Sequence, residues 1–137
     1  MKILIDTNIA LDVLGNRMPF ADASSAVLTQ CEAKKITGYV SAATVTDIYY
    51  VLSKMLSDHL YIHTLLEKFL STVELVDVTK REIFNALKMR STDFEDMVQS
   101  ECAASCGADY IVTRNERDFI NSKVKTVAPG DFLKLSQ

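Results

Sequence analysis

DFEDMVQSECAASCGADYIVTRNERDF, residues 93–119, carries in one stretch the signals that decide the fold. Asp93, preceded by Ser91 and Thr92, gives a helix start, and Gly107 stands where a helix that begins there should be capped and end. DYIVT (109–113) then reads as a short buried strand, and it runs straight into a polar loop holding Arg114, Asn115, Glu116, Arg117 and Asp118. A helix, a glycine stop, an apolar strand and an acidic loop together make half of an alternating α/β unit.

The rest of the chain repeats that alternation. KILI (2–5) reads as a first strand, and residues 8–14 as a brief helix closed by GNRMP. Residues 20–34 have helical periodicity with Ala21, Ala23 or Ser24, Val27 and Leu28 on one face. TGYVS (37–41) is a second strand. SAATVTDIYYVLSKML follows as a helix whose apolar stripe is Ile48, Val51, Leu52 and Met55, and HLYIHTLLEKFL as another. VELVDV (73–78) is a third strand, with Thr79 an N-cap for a helix through Met89. After DYIVT, KVKTV (123–127) and APGDFLKL offer a last strand and a helical turn. The expected fold is α/β, a three-layer Rossmann-like arrangement with a central, mostly parallel sheet of about four to five strands flanked by helices.

Composition bounds the function. With 137 residues, 48% hydrophobic and 24% charged, the chain is expected to form one globular domain spanning 1–137. A net charge of −3 argues against coating nucleic acid by bulk electrostatics, yet a cluster of acids that holds cations would itself be negative. Cys31, Cys102 and Cys106 form no CxxC pair and pattern as small core residues, as His59 and His63 pattern with apolar neighbours. A cytoplasmic location is expected, with no membrane association, because no apolar run is long enough to be a leader or a span.

In an open parallel sheet the functional crevice lies beyond the carboxyl ends of the strands. Asp6 follows the first strand directly, Asn115, Glu116 and Asp118 follow the DYIVT strand, and Asp93, Glu95 and Asp96 open the helix leading back to it. Asp47 sits inside an apolar helix start. Carboxylates gathered there would repel and raise each other's pKa unless a cation lay between them. Hard divalent cations suit such an all-oxygen site, and phosphodiester hydrolysis suits such a cation. Each acid also has a plainer reading: Asp93 and Asp96 as first-turn acids favoured by the helix dipole, Asp118 as a solvated loop residue, Asp12 as surface. Asp6 and Asp47, flanked by apolar residues, are harder to dismiss.

Other α/β classes fail on residues. Haloacid-dehalogenase-like phosphatases need a second acid where this chain has Asn8. Receiver domains need an acid pair at the first strand, and neither GxGxxG nor GxxxxGK[ST] is present.

ILIDTNIALDVL, VTDIYYVL and the 93–119 stretch resemble the PIN domain family, in the subgroup of toxin-like members close to the VapC toxins of bacterial toxin–antitoxin pairs. The resemblance covers nearly the whole chain. It implies a PIN-like fold and a metal-dependent endoribonuclease, with Asp6 and Asp96 holding the principal Mg²⁺ or Mn²⁺. Asp47 would take a place usually filled by Glu, and Asn115 and Asp118 compete for the fourth acidic position. Thr7 and Asn8 would hydrogen-bond in the pocket, Thr113 or Asn115 would orient water or phosphate, and Asp93 would be an outer ligand of a second metal. Arg114 and Arg117 are candidates for steering RNA phosphates, and Arg90 for a surface role. An RNA substrate, a cognate antitoxin protein and a homodimer are the implied partners; the apolar stripes of the helices at 44–56 and 60–70 are either a dimer seam or core. The alternative, motivated by Asp47 and Asn115, is a catalytically degenerate domain acting as a binding or scaffold module.

Overall fold

The structure is a computed structural model that describes all 137 residues. Alternation in KILI sets the layers. In β1 (Lys2–Ile5), Ile3 and Ile5 face one side of the sheet and Leu4 the other, and all three are fully buried. Such a strand needs cover on both faces, which a parallel sheet with crossover helices provides.

The elements follow in the order α1 (Thr7–Leu14), α2 (Ala21–Glu32), β2 (Thr37–Ser41), α3 (Ala42–Met55), α4 (His59–Leu70), β3 (Glu74–Val76), α5 (Lys80–Lys88), α6 (Phe94–Ser105), β4 (Tyr110–Val112), β5 (Lys125–Val127) and α7 (Pro129–Leu135). A 3₁₀ turn, Glu116–Phe119, lies between β4 and β5; the sequence was expected to be loop there. All five strands are parallel, in the order β3-β2-β1-β4-β5. The larger core, including Ile9, Val27, Ile48, Ile62 and Phe132, fills the face covered by α1–α4 and α7. Ala86, Met97, Cys102 and Ala103 of α5 and α6 cover the other.

Local chemistry marks the boundaries. Thr79 and Glu82 form a reciprocal capping box at the start of α5. Gly107 takes φ 72° directly after α6, the left-handed conformation that glycine adopts without a Cβ penalty. Two expectations need correction. Met55, placed in the apolar stripe of α3, is 53% exposed, because the helix ends as the chain leaves the core; Ile48 and Leu52 are the buried members. His59 and His63 are exposed on α4 rather than packed inward. Cys31 and Cys102 do sit in the core, where burial pushes their thiols up to about 11 and about 12.

Gly38 of β2 marks the tightest approach of α2 to the sheet. A Cβ there would lie 2.7 Å from Cys31 Sγ and 3.0 Å from Ile5 Cδ1, both in buried side chains with no room to retreat. Gly38→Ala is expected to destabilise the fold by about 1–3 kcal/mol through overpacking, measured as a lower urea midpoint at unchanged slope.

Candidate metal centre

Strand order places the switch point between β1 and β4, where successive connections leave in opposite directions. The residue after β1 is Asp6, and the residue after β4 is Thr113. Thr113 Oγ1 donates to Asp6 Oδ2 at 2.8 Å, and the Thr7 amide donates to Asp6 Oδ1 at 2.8 Å. Asp6 also occupies the N-cap position of α1, so capping and membership of the site are not alternatives for it. It is only 4% exposed. Burial raises its pKa, as does the Asp118 charge, while bonds from Thr113, Thr7 and the Gln99 amide pull it back.

α6 brings the other acids. Asp93 and Asp96 are three residues apart and share a face, and the 3₁₀ turn after β4 carries Asp118 to them. One carboxylate oxygen from each of Asp93, Asp96 and Asp118 lies within 4.8 Å of the other two. Asp93 stands at the N-cap of α6 but makes no side-chain capping bond, so any helix-start role it has is through the dipole alone. Burial, followed by the charges of Asp6, Asp118, Asp93 and Glu95, pushes the Asp96 carboxyl up to about 7. No lysine or arginine forms an ion pair with Asp6, Asp93, Asp96 or Asp118. Oxygen donors in excess, closely spaced and without a protein counter-charge, are the donor set of a hard divalent cation.

A cavity of about 450 Å³ opens beside these acids, and Asp6, Thr7, Asn8, Asp47 and Asp96 line it. Asp47 lies on its rim with Glu95; partial burial and the Glu95 charge raise its pKa. Tyr50, Phe94 and Val98 give the cavity an apolar wall.

Two side chains beside Asp6 have no role assigned from the sequence. Gln99, one turn beyond Asp96, donates from Nε2 to Thr44 Oγ1 at 2.8 Å. Thr44, one turn before Asp47, lies 3.0 Å from Thr7 Oγ1 and accepts from Ser41 Oγ at 3.2 Å. The amide nitrogen faces acceptors, so Gln99 Oε1 is left buried with no donor. The three-residue spacings Thr44–Asp47 and Asp96–Gln99 were the readable signal.

The expected surface position of Asp12 is wrong. It is fully buried and is gripped by Arg114, Nε to Oδ2 at 2.8 Å and Nη2 to Oδ1 at 3.0 Å. Arg17 Nε lies 3.2 Å from the same carboxylate. The Arg114 guanidinium also stacks over Phe20, 3.8 Å from the ring centroid. Arg114 therefore faces a carboxylate, whereas Arg117 and Arg90 are exposed. Asn115 is exposed, and its backbone N–H donates to Thr113 Oγ1 at 3.0 Å.

A five-stranded parallel sheet with carboxylates converging at its switch point defines an acid-centred α/β domain of the Rossmann-like class. The chain belongs to the PIN domain family, whose model matches residues 2–117. It is 23% identical over 141 residues to Ribonuclease VapC1 of Aquifex aeolicus (strain VF5), a match covering 96% of this chain and 92% of that protein. Among solved structures it resembles VapBC2 of Rickettsia felis bound to a promoter DNA fragment, with a TM-score of 0.70 and 22% identity. That likeness covers 93% of this chain and 98% of the other. DNA-bound VapBC of Salmonella typhimurium gives 0.72 at 18% identity, covering 94% and 98%. At these identities the structural likeness is one of fold.

The Asp96 shift has a measurable consequence. Its folded pKa of about 7 exceeds the ordinary 3.8, so between these values the folded chain holds a proton that the unfolded chain has lost. Stability from this group is present at acid pH and is lost as pH rises through that window. In EDTA, Asp96→Asn is expected to melt close to wild type near pH 4 and above it near pH 7. A gap that narrows with rising pH would contradict this electrostatic account.

Proposed function

We propose that this chain is a divalent-metal-dependent endoribonuclease and the toxin of a toxin–antitoxin pair. The observation that carries the reading is the convergence of Asp6, Asp93, Asp96 and Asp118 with no cationic side chain among them. The ribonuclease relative and the VapBC structures support it.

Asp6 and Asp96 would hold the principal Mg²⁺ or Mn²⁺. Asp118, whose carboxylate joins the cluster, fills the fourth position better than the exposed Asn115. Asp93 stands close enough to Asp96 and Asp118 to share in the same cage. The orphaned Gln99 Oε1 beside Asp6 fits a site in which a hydrated cation supplies the missing donor. When bound, the metal supplies a water of lowered pKa and offsets charge on the phosphate.

The chain's own residues do the rest. Thr113 and the Thr7 amide hold both Asp6 oxygens in fixed directions. Asp96, whose carboxyl burial and the neighbouring acids push up to about 7, would give up a proton on binding a cation. A cognate antitoxin protein is the proposed partner. Exposed Met55, Leu60 and Tyr61 on α3 and α4 support a homodimer.

Incubated with total RNA and Mg²⁺ or Mn²⁺, the protein is expected to cleave. EDTA should abolish cleavage, and Asp6→Asn or Asp96→Asn should slow it on the order of 10²-fold or more while the fold is kept. Cleavage that survives both variants, or its absence together with no metal-induced rise in melting temperature, would favour the binding-module alternative.

A further inference from the structure

We infer that Arg114 and Asp12 are positioning residues for the metal centre: their buried pair fastens the segment that presents Asp118. The inference rests on the metal reading above only for what Asp118 does; the fastening stands on its own contacts.

Three consecutive residues leaving β4 are each fixed. The Thr113 hydroxyl is bonded to Asp6, Arg114 grips Asp12 with two hydrogen bonds, and the Asn115 amide is bonded back to Thr113 Oγ1. The Asp118 amide then donates to Asn115 O at 3.0 Å, so the turn carrying Asp118 starts from an anchored residue. The anchor is unusually well built. Asp12 is fully buried on α1, one and a half turns below Asp6, and Ser24 of α2 lies 3.4 Å from its Oδ2. Phe20 stacks on the guanidinium face, 3.8 Å from Cζ to the ring centroid, which limits the directions the fork can take. A planar fork binding a carboxylate through two bonds fixes direction as well as distance, which a lysine cannot do. Both ends of the device belong to the site's own frame: α1 is capped by Asp6, and the β4 exit carries Thr113 and Asp118. Side chains that orient ligands from behind the metal are the usual determinants of such geometry.

Arg17 supplies an internal control: it touches the same carboxylate from the α1–α2 connection and donates to Asn8 O at 3.4 Å, but it makes no hydrogen bond or ion pair to residues 113–118. Arg114→Met, Arg114→Lys and Arg17→Met are compared with wild type in two measurements. The first is amide hydrogen exchange at Asn115 and Asp118 without metal, the second Mn²⁺ binding by electron paramagnetic resonance. Arg114→Met is expected to accelerate exchange at both amides and to weaken Mn²⁺ binding by about tenfold or more. Arg114→Lys, which keeps the charge and spares Asp12 a lost partner, should fold like wild type and fall between. Arg17→Met should change neither by more than about twofold, even at an equal loss of melting temperature. Equal effects of Arg17→Met and Arg114→Met, or unchanged exchange in Arg114→Met, would overturn the inference, leaving the pair a stabiliser of the fold alone. Wild-type protein that binds no Mn²⁺ would refute the metal reading. The exchange data would then still decide whether Arg114 fastens the segment.

Discussion

Like-charge repulsion at the carboxyl edge of the sheet is the constraint around which this molecule is arranged. Parallel topology brings the ends of β1 and β4 together, and with them Asp6 and the turn bearing Asp118, while α6 adds Asp93 and Asp96. In water these groups would separate. Here the backbone holds them, and the strain shows as an Asp96 carboxyl raised to about 7 by burial and by its acidic neighbours. A fold that keeps such a cluster must supply directed donors within it or accept a cation from outside.

Two buried aspartates on α1 show both solutions side by side. Asp12 is neutralised permanently, by a two-bond contact from Arg114 and a second arginine, with an aromatic ring over the first. Asp6, six residues earlier, is given only neutral donors, the Thr113 hydroxyl, the Thr7 amide and the Gln99 side-chain amide. Neutral donors orient a carboxylate without cancelling its charge, so Asp6 keeps the capacity to attract a cation and Asp12 does not. That difference in partners distinguishes the two more sharply than burial does, since both are nearly inaccessible.

Much of this was legible in the chain. Apolar runs located β1 and β4, because a central strand covered on both faces must be largely apolar; the edge strands β3 and β5 keep exposed Glu74 and Lys125 and were read from the alternation with helices. Thr79 and Gly107 marked helix ends through local bonding and local backbone freedom. Asp6 stood out because a charge directly after a buried strand is costly unless used. What could not be read were partnerships across the sequence. Arg114 and Asp12 are 102 positions apart, and Gln99 and Thr44 are 55 apart. A lone arginine beside acids reads equally as a phosphate contact or a surface charge, and Asp12 on a short amphipathic helix reads as solvated.

The sequence by itself determined the alternation of strands and helices, the caps, and the delivery of acids to strand ends and helix starts. Those features depend on near neighbours and on the period of apolar residues. Only the tertiary structure decided which acids share a cluster, which one is cancelled by arginine, and that Gln99 and Thr44 stand beside Asp6. Charge interactions depend on distance and burial, and both are set by strand order and helix packing rather than by position along the chain.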